Sequence, residues 1–466
     1  MLQGHAPYTA IWDHKPPGIY LVFALTQVFF GQMVLAIRLL ALLVVTATCF
    51  LLWLYGRHVL GSRSAGALAA LFYALFSTQN GGLASNAEII FAPFTVAALL
   101  LLRWRTGVPA AIQPQRRLTF LAVGLLLGAA IQIKAIASME LLAALALIAL
   151  TPLLGQRQAP RPSFRAAVLA VAWVIAGALL ASLAAAAPFA LSGHWSDYLY
   201  ANFTANAIYL RGAPALAPGA VMVALLSQAR GATLLWIAAL AALPLAALIR
   251  RRHPHTLLEL GVLGLWLACT LAATLLSRRL FPHYFLQTLP PLSLLAALVI
   301  VQAVRLDSHL PRARQALLIG LIVAIGLAHP AARPVQQSLG EIMALLRGTP
   351  RVELLVYTAS YLRERMAPGD YLYVAEGPPM LYYLTGAAIP TRYVLPTILN
   401  DDGAAMAGID PLVELERIMA LRPRYVVLPE DYQRDPAFLA RLQTHLAGNY
   451  VLERSLQGIL LYRLMP

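Results

Sequence analysis

Residues 166–191 read AAVLAVAWVIAGALLASLAAAAPFAL, an apolar stretch without a single charged side chain. A hydrocarbon core about 30 Å thick takes roughly 20 apolar helical residues to cross, so this segment is long enough to span a bilayer. The rest of the chain agrees. Of 466 residues, 60% are hydrophobic and only 12% are charged, and the mean hydropathy is +0.70. Soluble domains carry about 25% charge. The composition therefore excludes an ordinary soluble protein and a disordered one, and indicates a polytopic membrane protein. Cys49 and Cys269 both lie inside apolar runs. They supply neither a disulfide framework nor a metal motif.

The length criterion gives about ten spans. They are Ala36–Gly56, Ser64–Leu83, Ala87–Trp104, Leu118–Ile133, Met139–Leu154, Ala166–Leu191, Ala232–Ile249, Leu257–Leu276, Tyr284–Val304 and Ala316–Ala328. The net charge of +15 is concentrated in alternate loops. One set carries Arg57, Arg63, Arg103, Arg105, Arg116, Arg117, Arg157, Arg161, Arg165, Arg250, Arg251, Arg252, Arg305, Arg312 and Arg314. The other carries only Lys134, Arg211, Arg230, Arg278 and Arg279. Such asymmetry, roughly fifteen against five, is the mark of topology and puts the first set in the cytoplasm. It is not a nucleic-acid footprint, because no basic patch is interleaved with exposed aromatics. The N-terminal segment, the loop from Gly193 to Arg230 and the tail then face outward.

Three regions follow. Residues 1–35 form an outward loop and an interfacial helix, since Gly18–Phe30 is too short to span. An outward start without an export signal leads to the expectation that one preceding span is missing. Residues 36–333 are the transmembrane domain. Residues 334–466, where charge returns, form a small extracytoplasmic α/β domain. Its expected helices are Leu354–Met366, Pro379–Leu384, Leu412–Leu421 and Ala437–Leu446; its expected strands are Tyr371–Ala375, Tyr425–Leu428 and Gly458–Arg463. The fold class is thus mainly α, a polytopic helical bundle with a C-terminal α/β domain. The expected location is the plasma (inner) membrane, with the lipid bilayer as the first partner.

Of the 35 basic residues only Lys15 and Lys134 are lysine, leaving 33 (35 minus 2) arginines. Lys15 sits in Trp12-Asp13-His14-Lys15-Pro16-Pro17-Gly18, where the prolines fix the backbone and extend the residues before them. An acid, an imidazole and an ammonium are presented just above the membrane. Lys15 suits a lipid-linked phosphate; the alternative is a snorkelling lysine beside a solvated acid. Glu88 opens the third span, where a carboxylate needs a cavity or a partner or serves the helix dipole as an N-terminal acid. Lys134 ends the fourth span and either has a function, snorkels, or pairs with Glu140. Arg278-Arg279 with His283-Tyr284 defies the charge asymmetry, which suggests an anionic ligand or a headgroup anchor. His194 to Tyr209 carries aromatics and the asparagines Asn202 and Asn206, suited to an interfacial helix or to sugar stacking. No P-loop, dinucleotide fingerprint or nucleophile elbow occurs.

Gly4-x-x-Pro7-Tyr8, then Trp12-Asp13-His14-Lys15-Pro16-Pro17-Gly18-x-Tyr20, then Phe30-Gly31 and Ala36-Ile37-Arg38, resemble the polytopic GT-C glycosyltransferases. The likeness is to bacterial relatives of protein O-mannosyltransferase and of the aminoarabinose transferase. It runs on through Glu88, Lys134, His283-Tyr284 with Leu289-Pro290-Pro291, and Pro378-Pro379-Met380-Leu381-Tyr382-Tyr383 with Thr391-Arg392-Tyr393. The resemblance implies a hexosyl- or pentosyltransferase, inverting, that moves a sugar from a polyprenyl-phosphate donor to a lipid, glycan or protein acceptor on the outer face.

Carried over by the resemblance, Asp13 and Glu88 are catalytic candidates. Lys15, Arg279, His283 and Tyr284 bind the donor phosphate, and Tyr8, His14 and Lys134 line the site. The family's principal catalytic Asp belongs to an Asp-Glu pair upstream of the first motif, a position this chain does not include. Metal use varies in the family; no cofactor is indicated, and for a divalent metal only Asp13 and His14 offer ligands. The competing reading is a non-catalytic lipid-glycan binding protein or flippase, or an inactive truncated homologue.

Overall fold

The computed structural model describes residue 2, residues 4–31, 33–108, 116–154, 163–249, 253–306, 354–399, 401–432 and 435–466, and scattered residues between 307 and 353. All but residues 320, 321 and 324 of the expected span Ala316–Ala328 lie outside the described residues, as do Arg157, Arg161, Arg250, Arg251, Arg252 and Arg312 and the boundary at 333/334.

Among the described residues, thirteen α-helices precede residue 307. They are α1 (Pro17–Phe30), α2 (Val34–His58), α3 (Arg63–Phe76), α4 (Ala87–Thr106), α5 (Arg117–Ile133), α6 (Ser138–Leu154), α7 (Phe164–Leu191), α8 (Trp195–Leu199), α9 (Ala205–Arg211), α10 (Pro218–Gly231), α11 (Thr233–Ile249), α12 (Pro254–Leu276) and α13 (Leu289–Leu306). A π-helical turn, Tyr200–Thr204, joins α8 to α9, and a 3₁₀ segment, Pro282–Thr288, leads into α13. Six described helical segments are long and apolar enough to cross a membrane, and seven if α10 and α11, bent by 107° at their junction, form one span. α3 stops short of the expected Ser64–Leu83 because the chain turns after Phe76: Asn80, Gly81 and Ser85 all take left-handed backbone angles. Leucines on α7 and α11 point away from the bundle, with Leu183 65% and Leu243 74% exposed, as a lipid-facing surface requires.

Small residues let the helices approach closely. A Cβ on Gly124 of α5 would lie 2.0 Å from the Val174 carbonyl oxygen, and one on Gly177 of α7 would lie 2.2 Å from that of Leu121. Such backbone contact is a main source of association between helices in lipid. Gly177→Leu is therefore expected to lower stability by about 1–3 kcal/mol or more through overpacking. Thermal unfolding in detergent checks this, and an unchanged midpoint would contradict the close α5–α7 crossing. At the opposite side, buried Arg103 of α4 pairs with buried Glu259 of α12.

The C-terminal domain contains α14 (Leu354–Arg363), β1 (Leu372–Val374), α15 (Met380–Thr385), α16 (Asp401–Ala407), α17 (Pro411–Ala420), β2 (Tyr425–Pro429), α18 (Pro436–Asn449), β3 (Tyr450–Leu456) and β4 (Ile459–Leu464). The sheet order is β1-β2-β4-β3; β1 and β2 are parallel and the other pairs antiparallel. Asp410 and Asp435 cap α17 and α18 by accepting from backbone N–H groups of the first turn. β3 was absent from the sequence reading. It forms a hairpin with β4 through Gln457-Gly458, both at positive φ.

Glu453 of β3 accepts from the Tyr361 and Tyr425 hydroxyls at 2.7 and 2.9 Å and pairs with Arg463. Burial raises its pKa, but these three donors outweigh burial and hold it below the usual carboxylate range. A group depressed in the folded state stabilises fully above its unfolded pKa, about 4.3 for Glu, and that contribution drains away as pH falls through the folded value. Glu453→Gln is thus expected to flatten the acid limb of the melting-temperature profile. An identical acid limb in the variant would count against this linkage.

The domain docks on the membrane bundle through its own core. Trp12, Ala205 and partly buried Tyr200 and Tyr209 pack with Tyr393, Met406 and Leu415. The Trp12 N–H donates to the Arg392 carbonyl at 2.8 Å, and the Tyr200 hydroxyl donates to the Met406 carbonyl at 3.2 Å.

Candidate functional site

Four segments meet at one end of the bundle. α4 begins there with Glu88 and ends at the other side with Arg103 and Arg105; α5 begins at that other side with Arg117 and ends beside Lys134. The meeting point is therefore the arginine-poor end of the molecule.

The first segment is the N-terminal loop. Pro17 opens α1, its fixed φ suited to the first helical position. Gly18 lies so close to α5 that a Cβ would stand 2.6 Å from the Gln132 carbonyl oxygen. The loop carrying Lys15 is thereby seated on the end of α5. The Lys15 ammonium donates to Asp13 Oδ2 at 2.7 Å, while Asp13 Oδ1 accepts from the His14 backbone N–H at 2.7 Å. The Lys15 side chain keeps 37% of its surface exposed, against 12% for Asp13. Burial alone would raise the Asp13 pKa, but the Lys15 ammonium and His14 hold it well below the ordinary range. Asp13 is a fixed anion.

Tyr8 is buried and sits at φ 73°, a left-handed angle unusual for an aromatic residue. Its hydroxyl donates to the Lys15 carbonyl at 2.8 Å. Burial pushes its pKa far above the usual value, which keeps the donor proton in place.

The second and third segments supply Glu88 and Lys134. Glu88 is 1% exposed and pairs through Oε1 with the Lys134 ammonium. Its other oxygen, Oε2, has no hydrogen-bond partner among the described residues. Lys134 occupies an extended residue between α5 and a short 3₁₀ turn, and its ammonium stands 4.1 Å from the centre of the Tyr284 ring. Of the alternatives open for Lys134, the pairing is with Glu88. Glu140 instead accepts from the Trp266 indole N–H.

The fourth segment is the loop into α13. Arg278 and Leu280 both have positive φ, 56° and 51°, so strained backbone flanks Arg279 on either side. The Arg279 guanidinium lies 4.3 Å from the centre of the Tyr209 ring, which is in turn 5.2 Å from the His14 ring. His283 and Tyr284 meet edge to face at 4.6 Å.

The nine residues singled out in the sequence thus converge: Tyr8, Asp13, His14, Lys15, Glu88, Lys134, Arg279, His283 and Tyr284. Among the described residues no three His, Cys, Asp or Glu side chains gather as a metal would require. Chemically, the cluster brings cations together with one carboxylate fixed by Lys15 and His14 and one buried carboxylate whose Oε2 has no hydrogen-bond partner among the described residues. A cavity of about 320 Å³ shares Tyr8 with the cluster and is lined also by Trp12, Asp197, Tyr200, Arg392, Ala407 and Gly408. What the sequence reading missed is the bracket formed by Asn202 and Asn206. Asn202 donates to the Tyr8 hydroxyl at 3.1 Å and Asn206 to the His14 carbonyl at 2.9 Å. Two asparagines four residues apart on an aromatic helix were the available signal.

Residues 14–180 match the model of the dolichyl-phosphate-mannose-protein mannosyltransferase family. No curated protein sequence matches the chain. Among solved structures, ArnT from Cupriavidus metallidurans bound to undecaprenyl phosphate aligns with a TM-score of 0.57 at 15% identity, covering 96% of this chain and 87% of that one. The same protein in the apo state gives 0.56 at 16% identity, with the same coverage of 96% and 87%. The archaeal oligosaccharyltransferase AglB from Archaeoglobus fulgidus gives 0.48 at 14% identity, covering 97% of this chain and 66% of that one. Residues 14–180 are thus similar to that mannosyltransferase family, and an ArnT-like fold runs through nearly the whole length of this multi-pass membrane protein.

Proposed function

We propose that the protein transfers a sugar from a polyprenyl-phosphate donor to a hydroxyl of a lipid, glycan or protein acceptor at the extracytoplasmic face. The observation that carries this reading is the gathering of Lys15, Lys134, Arg279 and His283 around Glu88 at the arginine-poor end of the bundle. Arginine-rich ends stay in the cytoplasm, so the site faces outward, and residues 334–466 form an extracytoplasmic domain over a membrane domain of residues 36–333. ArnT of C. metallidurans binds undecaprenyl phosphate, and the cluster of cations here suits the same headgroup.

In the proposed mechanism Lys15 holds the donor phosphate. An ammonium has three donors; one is engaged by Asp13 at 2.7 Å, which leaves two for phosphate oxygens. Asp13 acts by fixing that ammonium. Arg279, with His283 and Tyr284, closes the other side of the phosphate. The acceptor oxygen attacks the anomeric carbon as its bond to the phosphate oxygen breaks, with inversion. The acceptor proton passes to Glu88 Oε2 as general base. Polyprenyl phosphate leaves with its growing charge held by the cations, an electrostatic stabilisation set in place before the reaction.

The test is Lys15→Ala in the full chain in detergent, with undecaprenyl phosphate as the probe. Losing a charge-assisted contact of about 1.5–3 kcal/mol weakens binding by roughly 10- to 100-fold. Wild-type affinity in the variant would overturn the phosphate role of Lys15.

A further inference from the structure

Helices α8 and α9 and the π turn between them form one rod, residues 195–211, that lies alongside the N-terminal loop. A π turn widens the helix and is frequent where a helix serves a function. Asn202 lies in this turn and Asn206 in the helix that follows it, and both side-chain amides bond to the rod and to the loop. Asn202 Nδ2 donates to the Tyr198 carbonyl at 2.9 Å and to the Tyr8 hydroxyl at 3.1 Å. Tyr8 in turn donates to the Lys15 carbonyl at 2.8 Å. Asn206 Nδ2 shares its two hydrogens among three carbonyls, Ala201 at 3.0 Å, Asn202 at 3.1 Å and His14 at 2.9 Å. Two consecutive backbone carbonyls, those of His14 and Lys15, are thus tied to the rod, one directly and one through a tyrosine.

This tie has work to do. Lys15 has four rotatable side-chain bonds, and its ammonium is placed only as well as its backbone is. Among its described residues the loop before Pro16 has turns but no helix or strand, and Tyr8 takes a backbone angle that its side chain disfavours. Such an angle persists when its surroundings over-determine it. The Asn202–Tyr8–Lys15 chain supplies that determination.

We propose that Asn202 and Asn206 are positioning residues for the phosphate site, presetting Lys15 through the Tyr8 hydroxyl and the His14 carbonyl. The proposal rests on the phosphate role of Lys15 given above. Neither asparagine touches the donor. Their effect is on the fraction of molecules in which the ammonium already stands in place, so they alter affinity for the phosphate headgroup.

The experiment measures undecaprenyl phosphate binding by the full chain in detergent for Asn202→Ala, Asn206→Ala, Asn206→Asp, Tyr8→Phe, the Tyr8→Phe/Asn202→Ala double variant and Lys15→Ala. Each asparagine variant is expected to bind about 3- to 10-fold more weakly, the worth of one net hydrogen bond. Asn206→Asp keeps the shape but cannot donate, so it matches Asn206→Ala. Tyr8→Phe matches Asn202→Ala, and the double variant is no worse than either, because both break one relay; a merely structural loss would add. Melting temperatures locate the effect: Tyr8→Phe removes a single oxygen and keeps the test usable if an asparagine variant fails to fold.

If Lys15→Ala loses binding while Tyr8→Phe and the folded asparagine variants bind like wild type, the positioning role is overturned and the phosphate role stands. If the Tyr8 and Asn202 effects multiply in the double variant, the relay is overturned. If Lys15→Ala itself binds normally, the phosphate role fails first.

Discussion

Glu88→Gln is expected to cut sugar transfer by about 10²- to 10⁴-fold, the usual contribution of a general base, while undecaprenyl phosphate binding stays near the wild-type level. Glutamine keeps an acceptor for the Lys134 ammonium and fills the same volume, so the variant removes the proton acceptor and little else. Complementation of a deletion strain reads the effect: the glycolipid or glycoprotein made by the parent and missing from the deletion strain should not return. Full restoration would show that Glu88 takes no proton. The same comparison separates a transferase from a binding protein or flippase, since a carboxylate that only pairs with lysine has no reason to be needed once binding is intact. Removing the partner instead, as in Lys134→Met, leaves a buried carboxylate alone and is expected to destabilise the fold by about 3–5 kcal/mol.

The second large effect is expected from Gly18→Val. A Cβ at this position would stand 2.6 Å from the Gln132 carbonyl oxygen and 2.8 Å from its carbon, both backbone atoms that cannot swing aside. Either α1 lifts off α5 or the end of α5 moves, and either shift separates Lys15 from Glu88 and Lys134. Positioning errors of about 1 Å cost catalysis on the order of 10²-fold. Transfer should fall by at least that factor and headgroup binding should weaken with it. Wild-type binding in Gly18→Val would mean that the seat on Gln132 does not set the site.

Much of the helical part is legible because lipid imposes it: an apolar run of the right length has few other uses. Helix forms within each expected segment that falls on described residues, but α3 stops at Phe76 short of Leu83, Tyr284–Val304 opens with a 3₁₀ turn, and six described segments, or seven with α10 and α11 joined, are long and apolar enough to cross, against the ten expected. Where hydropathy is silent the reading thins. The sharp bend between α10 and α11 falls at Gly231, where α10 ends, and a lone glycine in a helical pattern is too weak a signal to predict a bend. β3 escaped because Val451, Leu452, Arg454 and Ser455 are all exposed and give no alternation, leaving only the Gln457-Gly458 turn as a cue.

In the site, Lys15 stood out because lysine is rare here and prolines follow it. The partner of Lys134 could not be read, since Glu88 is 46 residues away and Glu140 is much nearer in the chain. Asn202 and Asn206 are visible as residues but not as a bracket, because their targets, the Tyr8 hydroxyl and the His14 carbonyl, lie 194 and 192 residues away in the N-terminal loop.

The seam between Trp12 and Arg392 carries one last consequence. A backbone hydrogen bond of 2.8 Å attaches the tail one residue ahead of Asp13, so recruitment of new acceptors by remodelling the tail is constrained at this spot. Grafts from distant relatives must preserve the local chain path around Thr391-Arg392-Tyr393 even when every other surface is exchanged, or the donor end will register the change.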